Sequence, residues 1–179
     1  GEITNSYLGS EMDATIIEVA FHTSPQDSAL MRDPKVRNAH GKAAYRAAVQ
    51  YFNHFRGGPL AYLPEPPTRF RVVNSGPGSV TLSWQPGPTG SYKGDPATSY
   101  RVYRSTDGLG FDGGTPVTGT QHTITDLTPG ATYYFRVTGV NAGGESFPTD
   151  TLAVRVREIP GPAKVLIVSA YDRLDRFNN

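Results

Sequence analysis

Between residues 66 and 157 the sequence alternates between short apolar runs and clusters of turn residues. Within each run, apolar side chains recur at every second position, which is the period of a strand with one buried face. Six such runs within about 90 residues predict an antiparallel β-sandwich. The predicted strands are Phe70–Val73, Ser79–Trp84, Ser99–Arg104, His122–Thr125, Thr132–Thr138 and Leu152–Val156.

Residues 1–58 follow a different pattern, in which the first element is a single apolar strand. The run Ala14–Phe21 is rich in β-branched residues and carries one charge, Glu18. Continuous apolar runs of this length are typical of strands that are buried on both faces of a parallel sheet. Such a strand needs neighbours at both edges and helices on both faces. We therefore expect the rest of an α/β domain in sequence that precedes residue 1 or in another chain.

Two helix starts are predicted downstream of this strand. Ser24 precedes Pro25, and Asp33 precedes Pro34. Each proline therefore falls at the first helical position, behind a side chain that can cap the helix. The second helix is predicted to end at the glycine pair 57–58, because glycine is the usual residue just after a helix.

Two further boundaries follow from composition. Residues 59–66 are rich in proline, which predicts a stiff and extended linker. Beyond the sandwich, a second linker precedes the apolar run Ala163–Ser169, which predicts the first strand of another α/β domain. The predicted order is an α/β remnant (1–58), a linker (59–66), the sandwich (67–157) and the start of a further domain (158–179).

Charge and cysteine content exclude several classes of protein. Lys and Arg number 17 against 16 Asp and Glu, so nucleic acid is not expected as a partner. The absence of cysteine excludes disulfides and thiolate metal sites. No run reaches the roughly 18 apolar residues that a membrane span needs. Because the sequence starts without Met and without a signal peptide, we expect it to be part of a longer protein.

The sandwich region resembles a fibronectin type III domain. The likeness rests on a proline pair before the first strand, a tryptophan in the second, two tyrosines in the third, and a Leu-x-Pro-x-x-x-Tyr motif that leads into the fifth. The residues are Pro66, Pro67, Trp84, Tyr100, Tyr103, Leu127, Pro129 and Tyr133, followed by Asn141–Ser146. The resemblance implies an immunoglobulin-like sandwich in which Tyr133 forms a tyrosine corner, with its hydroxyl bonded to upstream backbone.

Residues 16–25 resemble the C-terminal end of the zinc-dependent N-acetylmuramoyl-L-alanine amidases of bacterial cell walls. The shared features are an apolar strand with one Glu, a Phe followed by a small polar stretch with Pro, and a closing helix. Ala20 stands where that family usually has Gly, and Ser24 stands where Asn is common. The resemblance implies that Glu18 is catalytic and activates a zinc-bound water. The alternative is that Glu18 is a structural carboxylate at a sheet edge or in a salt bridge.

The same resemblance makes His22 and Glu11 candidates to line a substrate cleft, with ordinary loop positions as the alternative. The amidases bind zinc through two His and one Glu from earlier strands and loops. The four histidines of this chain, His22, His40, His54 and His122, show no comparable ligand spacing. We therefore expect zinc in a full-length parent, but no metal ligands and no cofactor in this chain alone, which should be inactive.

Two functions follow from these resemblances. The first is an exported peptidoglycan amidase that cleaves the muramoyl to L-alanine amide and carries a type III spacer or wall-binding module. The alternative is a non-catalytic type III binding or spacer module of an exported carbohydrate-active or surface protein. The expected partners are peptidoglycan or another polysaccharide, the upstream part of the amidase domain and a downstream domain. The expected location is secreted, periplasmic or in the cell envelope.

Overall fold

The computed structural model describes residues 14–58, 60–90 and 92–158. It divides into two compact units, whose described parts are residues 14–48 and 49–158. The candidate Glu11 and the strand predicted over Ala163–Ser169 lie outside the described residues.

The strand predicted over residues 14–21 is not formed, and this prediction was wrong for the structure as described. Residues 14–21 have no regular secondary structure. Ile17 and Phe21 are exposed instead of buried. The physical reason is that a strand requires a hydrogen-bonded neighbour, and the described residues place none beside this segment.

Both predicted helix starts are confirmed. Helix α1 spans Pro25–Arg32, and the Ser24 hydroxyl caps it by accepting the amide of Asp27 at 3.2 Å. Helix α2 spans Pro34–Arg56 and ends where predicted, because Gly57 adopts a positive φ of 71°. Neither helix buries a residue. Among the described residues, neither combines the length and the apolar character that a bilayer span requires.

The remainder is a β-sandwich of two antiparallel sheets, as predicted. One sheet has the strand order β1-β2-β5, and the other has the order β4-β3-β6-β7, with β8 also paired to β6. The strands are β1 Thr68–Gly76, β2 Ser79–Gln85, β3 Ser99–Ser105, β4 Thr115–Val117, β5 Gln121–Ile124, β6 Thr132–Asn141, β7 Gly144–Glu145 and β8 Leu152–Arg155.

The core lies between the two sheets and is built from alternate residues of the long strands. Strand β2 contributes Val80 and Leu82, and β6 contributes Phe135 and Val137, all four with no exposed surface. Because successive side chains of a strand point to opposite faces, the residues between them face solvent. Burial of each such side chain stabilises the fold by roughly 1.5–3 kcal/mol.

The edge of the second sheet is interrupted between β7 and β8. Here two backbone amides of β6 donate their hydrogen bonds to side-chain hydroxyls, in place of the backbone carbonyls of a neighbouring strand. The Gly139 amide donates to Ser146 Oγ at 2.9 Å, and the Val137 amide donates to Thr149 Oγ1 at 3.1 Å. The buried amides of β6 are therefore paired although the edge strand is not continuous.

The predicted linker does not lie free of the sandwich. Residues of the linker contact the sandwich, and we call the stretch Ala61–Pro67, which ends at the first residue of the predicted domain, the leading segment. Tyr62, Pro64 and Pro67 of this segment are buried. The segment therefore contributes to the packing of the sandwich, beyond joining it to α2.

Candidate functional site

The predicted catalytic residue lies on an exposed surface. Glu18 belongs to the irregular segment 14–21 and His22 to the turn that follows it, and both side chains are exposed. The apolar strand environment that motivated a catalytic interpretation of Glu18 is not formed by the described residues. The roles of Glu18, His22 and Glu11 stay predictions.

The described residues do not assemble a metal site. Across 14–58, 60–90 and 92–158, no group of three or more His, Asp or Glu side chains lies close enough together to hold one metal ion. Zinc requires three or four such ligands around one point. The described residues therefore do not by themselves form the zinc site that the amidase resemblance implies for a parent protein.

The structure places the signature residues of the sandwich in its core and in the turn before β6. Trp84 and Tyr100 are buried and pack edge to face, with ring centroids 5.4 Å apart. Burial raises the pKa of Tyr100 above its ordinary value. Leu127 is buried in the same core, whereas Pro129 is exposed in the turn before β6. These residues build the fold.

The tyrosine corner is formed. The hydroxyl of Tyr133 accepts a hydrogen bond from the backbone amide of Thr128 at 3.3 Å. This hydrogen bonding at Thr128 lowers the pKa of the Tyr133 phenol. The ring stacks beside Phe135 and packs against the core. Tyr133 thereby fixes the turn between β5 and β6 to the sheet.

A polar cluster covers the solvent face of the second sheet, and we call it the sheet-face cluster. It comprises Arg101 and Tyr103 of β3, Arg136 and Thr138 of β6, and Glu145 of β7. In the register, Arg101 lies opposite Thr138, and Tyr103 lies opposite Arg136.

Glu145 is the centre of the sheet-face cluster. It accepts hydrogen bonds from the hydroxyl of Tyr103 and from Thr138 Oγ1, the latter at 2.6 Å. Arg101 Nε lies 3.9 Å from its second carboxylate oxygen. One carboxylate thus joins three strands of the sheet.

Arg136 completes the cluster through its planar guanidinium group. The group lies 4.0 Å from the ring centroid of Phe111 and 5.3 Å from that of Tyr103. Stacking of this kind stabilises by about 0.5–1 kcal/mol at exposed sites. Phe111 comes from the loop between β3 and β4, so the contact also holds that loop against the sheet.

The ionisation of the cluster follows from these contacts. Burial acts to raise the pKa of the Glu145 carboxyl, but the hydrogen bonds from Thr138 and Tyr103 act in the opposite direction. Together with the charges of Arg101 and Arg136 they outweigh burial, so the pKa lies below its ordinary value. Burial and then the bond to Glu145 raise the pKa of Tyr103. Tyr103 therefore stays a hydrogen-bond donor at neutral pH, and the pair has no activated nucleophile.

The sequence carried only part of the signal for this cluster. The two-residue period of β3 and β6 indicates which residues of those strands face solvent. It does not indicate their register, and it gives no position for Glu145 on a two-residue strand or for Phe111 on a loop. The carboxylate at the centre of the cluster and the Phe111 ring that stacks on Arg136 were therefore missed.

Three large apolar side chains stand out on separate loops. Tyr92, Leu109 and Phe147 are 80%, 89% and 81% exposed. The loop of Leu109 is held by Asp107, whose carboxylate accepts the amides of Leu109 and Gly110 at 2.8 and 3.0 Å. The hydrogen bonds from these amides help to lower the pKa of the Asp107 carboxyl, and the bond from Leu109 has the largest effect.

Comparison with known proteins decides the family. The model of the fibronectin type III domain family matches residues 65–155, just over half of the chain. This chain belongs to the fibronectin type III family. Its match begins inside the leading segment and ends at the last residue of β8, so the family's domain coincides with the sandwich.

Curated relatives share this domain at moderate identity. The chain is 34% identical over 109 residues to human Roundabout homolog 2, and the aligned region covers 59% of this chain and 8% of that protein. It is 35% identical over 99 residues to mouse receptor-type tyrosine-protein phosphatase F, covering 54% of this chain and 5% of that protein. The chain therefore spans less than a tenth of the length of either relative.

Among solved structures, the type III domain resembles the fourth such domain of a human protein. The TM-score is 0.50 at 21% identity, and the match covers 62% of this chain and 93% of that one. This likeness is one of fold. The comparisons support the type III domain and give no support to the amidase resemblance of residues 16–25.

Proposed function

We propose that this chain is a non-catalytic type III spacer module of an exported carbohydrate-active or surface protein. The observation that carries the proposal is the sandwich itself, whose interior is filled by packed side chains and whose Glu145 accepts hydrogen bonds from Tyr103 of β3 and Thr138 of β6. Both features hold the domain together. The relatives support the proposal in that one is, by its name, a receptor-type protein.

A second proposal keeps the finer interpretation of the sequence. The parent would be an exported peptidoglycan amidase in which this chain supplies Glu18 and the type III domain follows the catalytic domain. One structural observation favours it: α1 and the longer α2 follow residues 16–25, in the order that the amidase resemblance implies. In this proposal the zinc ligands belong to another part of the parent.

The test is a measurement of hydrolysis and retention with the full 179-residue chain. Purified peptidoglycan is incubated with the chain and zinc, and released peptide and bound metal are measured for the natural chain and for Glu18→Gln. We expect no release, no stoichiometric zinc, and no retention of the chain on insoluble peptidoglycan. Zinc-dependent release that Glu18→Gln abolishes would overturn the spacer proposal in favour of the amidase, and retention without release would make the module wall-binding.

A further inference from the structure

The leading segment is bonded to the sandwich through its backbone. The amide of Tyr62 donates to the carboxylate of Asp95 at 2.8 Å. The carbonyl of Tyr62 accepts from the Asn141 side chain at 2.8 Å and from the Asp95 amide at 3.4 Å. Both backbone polar groups of one residue are thus paired with the sandwich, as the backbone of an added strand would be.

The side chains of the segment are anchored as well. Tyr62 is only 7% exposed, and its hydroxyl accepts the side-chain amide of Gln50 at 2.8 Å. Pro64 is buried and lies near Gly139 of β6. A free linker would expose such side chains to water, so their burial indicates a fixed position.

Three glycines make room for the segment. A Cβ atom on Gly94 would overlap the carbonyl oxygen of Leu63, and one on Gly87 would overlap that of Glu65. A Cβ on Gly143 would lie 2.7 Å from the carbonyl oxygen of Ala61. None of the three has a positive φ in the left-handed region, so it is space, not backbone conformation, that requires glycine there.

We propose that Asp95 and Asn141 clamp the leading segment onto the type III domain, so that the domain is joined to the preceding chain through a fixed joint. Asn141 is itself oriented, since its side-chain oxygen accepts the amide of Gly143 at 2.8 Å. The proline-rich stretch then sets the direction in which the chain leaves the sandwich. For a spacer, this fixes the place at which the preceding chain meets the domain. Only this consequence for a spacer rests on the proposed function, and the clamp itself does not.

The first test needs no substitution. Backbone ¹⁵N relaxation on the full chain gives order parameters for the amides of Tyr62 and Leu63. We expect values equal to those of β2 and β6, about 0.85 as in rigid backbone, whereas values falling toward 0.6 or below, as in a flexible linker, would overturn the clamp. This readout is independent of peptide release and of peptidoglycan retention, so failure of the joint and failure of the spacer function are separate results.

The second test compares variants by amide hydrogen exchange. In Asn141→Ala the amide of Tyr62 keeps its acceptor, the Asp95 carboxylate. Faster exchange of this amide would therefore report release of the whole leading segment. We expect exchange at Tyr62 to accelerate about tenfold, because the partly buried hydrogen bond from Asn141 to the Tyr62 carbonyl is lost. Gly94→Ala should release the segment in the same way by displacing Leu63.

Gly119→Ala is the matched control, since a Cβ at Gly119 meets no atom within 4 Å and the residue has no positive φ. It should leave exchange at Tyr62 unchanged. Unchanged exchange in both Asn141→Ala and Gly94→Ala would overturn the proposal. If a variant fails to fold, the relaxation measurement on the natural chain still decides it.

Discussion

Tyr133 joins the turn before β6 to the core through both its ring and its hydroxyl. We expect Tyr133→Phe to lower the free energy of unfolding by about 1 kcal/mol, because the amide of Thr128 loses its acceptor while the ring is retained. Urea denaturation followed by Trp84 fluorescence measures the change. Tyr92→Phe removes a hydroxyl from an 80% exposed ring and should have no effect. A Tyr133→Phe variant as stable as the natural chain would show that water replaces the corner bond at no cost.

Glu145 makes the stability of the sandwich depend on acid pH. Its pKa in the folded chain lies below the ordinary value of 4.5, so its stabilising effect is fully present above that value. The effect is lost as pH falls through the lower, folded pKa. We expect Glu145→Gln to flatten the decrease in unfolding free energy below pH 4.5, measured by urea titration at several pH values. Glu18→Gln, at an exposed site outside the sandwich, should keep the natural slope, and an equal slope in Glu145→Gln would contradict the assignment.

At the scale of elements, the interrupted edge between β7 and β8 depends on two hydroxyls. In Ser146→Ala the buried amide of Gly139 loses its side-chain acceptor, and we expect a loss of about 1–3 kcal/mol of unfolding free energy. Thr151→Ala, at an exposed position in the same connection, is the control and should change stability little. Thermal unfolding of the two variants provides the comparison. Equal midpoints would mean that Gly139 finds another acceptor.

The long strands of the sandwich were predictable because each repeats apolar residues with a period of two and ends at turn residues. Strands β4 and β7 were missed because segments of two or three residues show no period. The prediction of a strand over 14–21 was wrong for the opposite reason. An apolar run can be recognised in a sequence without knowing whether a neighbouring strand is present to pair with it. The sheet-face cluster needed the pairing of Tyr103 with Arg136, which only the folded sheet provides.

At the scale of the whole molecule, the two kinds of structure should unfold separately. Trp84 is the only tryptophan and lies in the sandwich core, so its fluorescence reports the sandwich alone. Far-ultraviolet circular dichroism at the helix band reports α1 and α2, which bury no residue. We expect the helical signal to be lost at lower urea than the fluorescence signal, because tertiary packing supplies most helix stability in proteins.

Near-ultraviolet circular dichroism, which also reports packed aromatic rings, serves as the control and should follow the fluorescence. Superimposable helix and fluorescence curves would contradict the prediction and would show that the helices and the sandwich unfold as one cooperative unit.

The hydroxyl acceptors at the β7–β8 edge also bear on how such domains behave at high concentration. An unbroken edge strand offers a row of free amides and carbonyls to which a strand of a second molecule can add. Here the ladder is broken, and the edge includes Pro148, which has no amide hydrogen. The amides of Gly139 and Val137 in the adjoining strand β6 are already bonded to Ser146 and Thr149. An approaching strand finds no continuous template on this side. Many copies placed in tandem would thus be protected against fibrous aggregation along this edge.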